Sequence, residues 1–240
     1  MSKNRIRGLL FDKDGTLFDF ALSWSGVLDD TLAALTPDPA LQQRMAEKTG
    51  YDKAKGRFAP GSAAVAGALD EVAAVWASFL PGKNAGDVLR IADQIATEAV
   101  ASGALVPAVP DLAGYLQDLR AQGYVLGIAT HDSEGAARAH LDGFDALEHF
   151  AFIAGYDSGH GLKPGPGMLL AFAHATGLQP GEIAMIGDSV HDLGVAPAAG
   201  AALAVGVLTG PAEHADLAPL ADHILTSIAD LPELLVRVHA

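Results

Sequence analysis

The pattern of hydrophobic and polar positions divides the chain into a first strand, a helical segment and a longer alternation of strands and helices. An apolar run over residues 6–11 predicts a short buried strand. From Asp19 onward, alanine-rich segments with helical spacing predict helices, and no strand is predicted before residue 105. Beyond the proline-containing segment 106–110, apolar strands alternate with helices. Repeated strand–helix units predict a parallel sheet with helices on both faces.

The predicted elements form two groups along the chain. The helices of the early segment are expected at about 22–35, 38–49, 68–80 and 86–101. The later strands are expected at about 124–130, 150–154, 183–186, 201–207 and 223–225, and the later helices at about 111–122, 133–142, 166–176, 190–199 and 227–237. We therefore predict an α/β fold in which residues 1–18 and 105–240 form a doubly wound parallel core around an all-helical insert, residues 19–104.

Composition narrows the classes of partner and compartment. The 240 residues carry a net charge of −14, which disfavours nucleic acid and anionic membranes as partners. The chain has no cysteine, and the residues after Lys3, Arg5 and Arg7 form only a short apolar run, so we expect no signal peptide and a reducing cytoplasm. The long uncharged segment 193–208 is interrupted by proline and glycine and does not suggest a membrane span. The sequence does not determine the oligomeric state.

Two acids follow the first strand and make its end the first candidate site. In an open α/β sheet, ligands bind beyond the carboxyl ends of the strands. Asp12 and Asp14 are expected to project to one side there, with Lys13 pointing away. Two carboxylates this close repel each other, so a proton or a cation is expected between them. Gly15 allows a sharp turn and a close backbone approach to a ligand.

Three further positions follow later strand ends or precede a helix. Thr130, followed by His131, ends one strand, and taken alone a helix cap is the simpler interpretation. Lys163 lies in an uncharged, turn-rich stretch, where a surface lysine is the default. Asp188 ends another strand and Asp192 lies in the first turn of the next helix, where either acid can serve as a cap.

Taken together and in order, these sites resemble the four motifs of the haloacid dehalogenase-like (HAD) phosphohydrolase superfamily. The matching segments are Asp-Lys-Asp-Gly-Thr at 12–16, Thr130, Lys-Pro-Gly-Pro at 163–166 and Gly-Asp-Ser-Val-His-Asp at 187–192. The joint pattern is far more specific than any single motif. The resemblance covers about 1–18 and 105–240, and it implies a Rossmann-like core whose insert, 19–104, is a helical cap domain.

The resemblance also implies roles for these residues. Asp12 is expected to be the nucleophile and Asp14 the general acid and base, with Thr130 and Lys163 completing the catalytic set. The amides near Gly15 and His131 are expected to position the phosphoryl group together with Thr130 and Lys163. A Mg²⁺ cofactor is expected at Asp12, the backbone carbonyl of Asp14, and Asp188, with Asp192 as a ligand or a residue just behind the ligands.

The acid at position 14 favours phosphate-ester cleavage, because dehalogenases and phosphonate-cleaving relatives lack an acid there. The leading interpretation is a Mg²⁺-dependent phosphatase of a small phosphorylated metabolite, similar to phosphoglycolate phosphatases. A sugar phosphomutase and a non-catalytic, receiver-like phosphate sensor remain as alternatives. In the insert, the loop 51–62 is either a solvated connection or a specificity loop in which Arg57 or Lys53 binds a substrate carboxylate.

Overall fold

The computed structural model describes residues 5–66 and 69–239. The chain forms two compact units, one of Met1–Asp19 with Pro107–Ala240 and one of Phe20–Val106. We call the first the core unit and the second the inserted unit. Among the described residues, no helix is both long enough and apolar enough to cross a membrane.

The core unit is built on one parallel sheet of six strands in the order β5-β4-β1-β6-β7-β8. Its strands are β1 (Gly8–Phe11), β4 (Val125–Ala129), β5 (Phe150–Ala154), β6 (Ile183–Gly187), β7 (Leu203–Val207) and β8 (His223–Leu225). Its helices are α6 (Leu112–Ala121), α7 (Glu134–Asp142), α8 (Gly167–Thr176), α9 (Val190–Ala199), α10 (His214–Leu217) and α11 (Leu231–His239).

Burial explains why the strands of this sheet appear as uninterrupted apolar runs. All residues of β1, β6 and β7 are buried, as expected when helices cover both faces of a parallel sheet. The chain starts at the centre of the sheet and adds strands outward in two directions, so the order reverses beside β1. This reversal is the switch point at which open α/β sheets bind ligands, and the predicted α/β fold is confirmed.

The inserted unit is mainly helical and has its own apolar core. It contains α1 (Phe20–Leu35), α2 (Pro39–Thr49), α3 (Ala63–Ala66), α4 (Leu69–Ala77) and α5 (Ala85–Ala101). Trp76, Leu32 and Met45 are among the side chains buried at its centre. Asp38 caps α2 and Asn84 caps α5, so side-chain acceptors satisfy amide groups that would otherwise lack partners.

One part of the inserted unit corrects the expectation of an all-helical segment. Strands β2 (Tyr51–Asp52) and β3 (Arg57–Phe58) form a short antiparallel ladder. The rings of Tyr51 and Phe58 stack with centroids 4.7 Å apart, and both residues are buried. Gly50 ends α2 at φ 85°, which redirects the chain into the ladder. Strands of two residues are too short to produce the alternation by which strands are predicted.

Candidate active site

The carboxyl ends of three central strands bring the predicted site residues of the core unit together. Asp12 directly follows β1, Thr130 follows β4 and Asp188 follows β6. Backbone hydrogen bonds extend the sheet by one residue here: the Asp12 amide donates to Ile186 at 2.8 Å and the Thr130 amide to Ala154 at 3.0 Å. The backbones of Asp12 and Thr130 therefore continue the hydrogen-bond pattern of the strands before them.

A cluster of three carboxylates lies at this edge. Asp12, Asp188 and Asp192 are all buried, and each offers an oxygen within 4.8 Å of the others. Burial raises the pKa of Asp12 to about 7. The charge of Lys163 opposes this rise, and the charge of Asp192 adds to it. Burial and the repulsion of Asp192 and Asp12 likewise hold the pKa of Asp188 well above its usual range. The cluster therefore has an excess of negative charge that a bound cation would offset.

Lys163 supplies the positive charge inside this cluster. Its Nζ donates to Asp12 Oδ1 and to Asp192 Oδ1, both at 2.6 Å, and to the carbonyl of Ala129 at 2.9 Å. Burial alone would lower the pKa of Lys163, but Asp12 and Asp192 outweigh it and hold this pKa above its ordinary value. The three hydrogens of the ammonium group each have an acceptor, so its position is fixed.

Asp192 is tied to the start of α9 as well as to Lys163. Ser189 caps this helix, and its amide and hydroxyl donate to Asp192 Oδ2 at 3.0 and 2.5 Å. Both oxygens of Asp192 therefore already accept hydrogen bonds from the protein. Asp188 accepts none from another residue in the described part of the chain. Of these two acids, Asp188 is the better placed to give its oxygens to a ligand.

Two glycines leave room around Asp188. A Cβ atom at Gly15 or at Gly210 would overlap the Asp188 carboxylate, and Gly15 also has φ 85°, which disfavours other residues. The hydroxyl of Thr209 donates to the Gly15 carbonyl at 2.6 Å and so braces this turn. The sequence predicts a role for Gly15 but not for Thr209 or Gly210, because the loop after β7 carries no motif that marks it.

The carboxylate oxygens of the Asp12, Asp188 and Asp192 cluster suit Mg²⁺. Among the described residues, the donor set consists of the three carboxylates of Asp12, Asp188 and Asp192, with no histidine or cysteine, and burial raises the pKa values of Asp12 and Asp188. Hard divalent cations prefer such oxygen sites. The residues present therefore fit the expected cofactor.

Thr130 and His131 lie beside the cluster. The Thr130 hydroxyl is buried and accepts from the Asp132 amide at 3.0 Å, which leaves its O–H able to donate. His131 Nε2 accepts from the Lys163 amide at 3.1 Å, while burial and the charge of Lys163 lower the pKa of His131 to about 4. His131 is therefore neutral near pH 7. Its own amide has no acceptor among residues 5–66 and 69–239.

Asp14 follows Asp12 by two residues and has Lys13 as an unexpected partner. Its Oδ2 is 2.5 Å from Lys13 Nζ, and the Lys13 side chain is fully buried. The expectation that Lys13 points away from the two acids is thus wrong, because its long side chain folds back to Asp14. A fully buried position usually holds an apolar residue. A lysine placed between two acids indicates an ion pair with one of them, which strand alternation alone does not predict.

Arg57 belongs to the inserted unit, and the other predicted site residues belong to the core unit. It is exposed on β3 and lines a surface pocket of the inserted unit with Glu47, Tyr51 and Asp52. Lys53, the other cation considered for a substrate carboxylate, pairs with Asp29 at 2.7 Å. No ion pair of the Arg57 guanidinium occurs among the described residues.

Comparison with known proteins gives consistent results. The family model described as haloacid dehalogenase-like hydrolase matches residues 6–200. A phosphoglycolate phosphatase of Escherichia coli strain K12 is 31% identical, over 98% of this chain and 94% of that protein.

Two solved structures share the fold. A Thermotoga maritima protein, provisionally described as a β-phosphoglucomutase, has a TM-score of 0.74 and 16% identity, with 97% and 100% of the two chains covered. CbbY from Rhodobacter sphaeroides, in complex with phosphate, has a TM-score of 0.65 and 23% identity, with 94% and 96% covered.

Proposed function

This chain belongs to the haloacid dehalogenase-like hydrolase family, and we propose that it is a Mg²⁺-dependent phosphatase acting through an aspartyl-phosphate on a small phosphorylated metabolite. Family membership and the likeness to curated phosphoglycolate phosphatases confirm the expected class, a phosphoric monoester hydrolase. The observation that carries the proposal is the buried group of Asp12, Asp188 and Asp192 around Lys163 at the sheet switch point.

The proposed first step forms a bond between Asp12 and phosphorus. A carboxylate oxygen of Asp12 attacks, the bond from phosphorus to the ester oxygen breaks, and Asp14 gives its proton to that leaving oxygen. Lys163 holds Asp12 Oδ1 at 2.6 Å, so the nucleophile needs little reorganisation. Thr130 supports the proposal because its O–H is available for a phosphate oxygen, as is the His131 amide.

The proposed second step releases inorganic phosphate. A water oxygen attacks phosphorus, one water proton passes to Asp14, and the bond between phosphorus and Asp12 breaks, which regenerates both carboxyl groups. Asp12 and Asp188 would hold Mg²⁺ together with the Asp14 carbonyl, and Asp192 would orient Lys163 from behind. When bound, the cation offsets the repulsion between the carboxylates and an anionic substrate.

The substrate class follows from the relatives and from the inserted unit. The 31% identity to a phosphoglycolate phosphatase supports a small, carboxylate-bearing phosphate ester as substrate. We propose that the inserted unit corresponds to the cap domain, residues 19–104, and that Arg57 binds the substrate carboxylate. Similarity to the Thermotoga protein concerns the fold alone and does not favour a phosphomutase.

A screen of phosphorylated metabolites with purified protein and Mg²⁺ tests this function. We expect release of inorganic phosphate, and loss of at least about 10⁴-fold in kcat for Asp12→Asn, because an amide is a poor nucleophile. Conversion of a sugar phosphate into its isomer without phosphate release would favour the phosphomutase alternative. Failure to turn over any ester, including a generic aryl phosphate, would favour the non-catalytic phosphate sensor.

A further inference from the structure

Lys13 is the buried centre of a second charge cluster, whose other members are partly exposed and which is separate from the cluster around Lys163. Its side chain has no exposed surface, and its Nζ lies 2.5 Å from Asp14 Oδ2, 3.4 Å from Asp132 Oδ2 and 3.0 Å from His140 Nδ1. The ring of Phe18 lies beside it, with its centroid 5.9 Å from Nζ. Lysine is almost never fully buried unless it is paired, so these partners account for its position.

Attraction to two carboxylates offsets the cost of burying the Lys13 ammonium group. Burial alone would lower the pKa of Lys13, but Asp14 and Asp132 outweigh it and hold this pKa above its ordinary value. Burial and the charge of Lys13 lower the pKa of His140, so this imidazole is neutral near pH 7. An ammonium group can only donate, so His140 Nδ1 accepts and its ring proton lies on Nε2. Lys13 therefore connects one oxygen of Asp14, Oδ2, to two groups on a different part of the core unit.

The far side of the cluster is itself held rigidly. The Asp132 amide donates to Thr130 Oγ1 at 3.0 Å, and Asp132 Oδ1 accepts from the Ser133 amide at 2.9 Å. Ser133 caps α7, the helix that carries His140. The anchor for Lys13 is thus connected to the end of β4 and to the start of α7. Through Lys13, the position of the Asp14 side chain therefore depends on β4 and α7 as well as on the backbone around residue 14.

We propose that Lys13 is a positioning residue that aims the Asp14 carboxyl group at the leaving oxygen of the substrate. The inference rests on the proposed function, in which Asp14 protonates that oxygen as its bond to phosphorus breaks. A misplaced general acid costs rate only where the leaving group needs a proton. Lys13 therefore contributes to the cleavage of esters of poor leaving groups and contributes little to esters of good ones.

The test compares kcat/KM of Lys13→Met on two substrates, because kcat/KM reports the steps through departure of the leaving group. Methionine keeps a linear apolar side chain and removes the charge. For an alkyl phosphate we expect a loss of about 10²-fold, the scale of a small misplacement of a catalytic group. For 4-nitrophenyl phosphate, whose phenolate leaves without a proton, we expect a loss of about threefold or less. Asp14→Asn should show the same selectivity with a larger loss.

Substitutions at His140 provide a second, milder test should Lys13→Met fold poorly. His140→Leu removes an acceptor of the ammonium group and should reproduce the selective loss, whereas His140→Asn keeps an acceptor and should restore the alkyl-phosphate rate. Arg138→Met serves as the control, because it breaks an ion pair with Glu134 on the same helix. It should leave both rates unchanged.

The outcomes separate this inference from the proposed function. Equal losses on the two substrates, or no loss on either, would show that Lys13 is only structural and overturn the inference. A non-selective effect of Asp14→Asn would remove the acid that Lys13 is proposed to aim, while phosphatase activity itself would stand. If the unsubstituted protein turned over neither ester, the proposed function would fail, and the inference with it.

Discussion

At the scale of single residues, the site depends on which buried charges have partners. Lys163 satisfies Asp12 and Asp192, and Lys13 satisfies Asp14, whereas Asp188 has no donor from another described residue. Each lysine is buried and each is surrounded by acceptors, so each carboxylate it holds has one fixed direction. In the proposed mechanism, this division gives the nucleophile and the general acid separate supports, which allows the two proposed roles to be tested separately.

A residue-scale prediction concerns Arg57. If its guanidinium binds a substrate carboxylate, Arg57→Ala should lower kcat/KM for a carboxylate-bearing ester by roughly ten- to a hundred-fold. This is the equivalent of about 1.5–3 kcal/mol for a charge-assisted hydrogen bond. An aryl phosphate without a carboxylate should be barely affected. Lys55→Ala is the matched control from the same loop, since Lys55 pairs with Asp52 at 2.9 Å. Equal losses on both substrates would make Arg57 a structural residue.

At the scale of elements, strand ends and helix starts carry the chemistry. Ser189 begins α9 and holds Asp192, which in turn holds Lys163 at 2.6 Å, so a helix cap also supports the lysine of the active site. The cap of α7 has a similar place behind Asp132 and Lys13. We therefore expect local backbone structure and the geometry of the proposed active site to be coupled at two helix starts.

Disruption of one cap should reveal this coupling. Ser189→Ala removes the helix cap and a partner of Asp192, so we expect a loss of about 0.5–2 kcal/mol in the free energy of unfolding. We also expect kcat to fall by about tenfold or more because Lys163 loses a fixed neighbour. Asn84→Ala breaks a comparable capping box at α5 and should cost similar stability with no change in kcat. Denaturant unfolding and steady-state kinetics measure both, and equal kinetic effects would refute the coupling.

The elements also show how far sequence reasoning reaches. Strands β1, β4 and β6 could be predicted because buried apolar runs end abruptly in polar residues. Strands β2 and β3 could not, since two-residue strands show no periodicity. The partner of Asp14 was missed for a different reason: alternation gives the direction in which Lys13 leaves the backbone, but not where its long side chain ends. The hydrogen bond from Thr209 to Gly15 and the close approach of Gly210 to Asp188 are tertiary contacts, which no local sequence pattern predicts.

At the scale of the whole molecule, an acidic chain of net charge −14 has to bind an anion. Two buried lysines and a bound cation would provide positive charge locally, which makes the overall charge compatible with a phosphorylated substrate. Without a cation, the mutual repulsion of Asp12, Asp188 and Asp192 contributes to the raised pKa values of Asp12 and Asp188, so a bound cation is expected to stabilise the folded protein.

Thermal unfolding measures the stabilisation of the folded protein by the cation and does not depend on activity. Mg²⁺ at a hundred times its dissociation constant should stabilise the protein by about 2.7 kcal/mol, visible as a rise in Tm. Asp188→Asn should abolish most of this increment, and it should not destabilise the cation-free protein, because repulsion is relieved. Activity should disappear in EDTA, and Ca²⁺ should restore it poorly because its coordination is larger and looser. An unchanged Mg²⁺ increment in Asp188→Asn would contradict the assigned cation site.

The proposed mechanism depends on transfer of the phosphoryl group to Asp12. Acid quenching during turnover, followed by mass spectrometry of the peptide containing residue 12, tests this transfer. We expect a phosphoryl adduct on Asp12 that requires Mg²⁺ and substrate, decays as phosphate is released, and is absent in Asp12→Asn. A phosphoryl adduct on another residue, or rapid turnover with no adduct at any quench time, would contradict it.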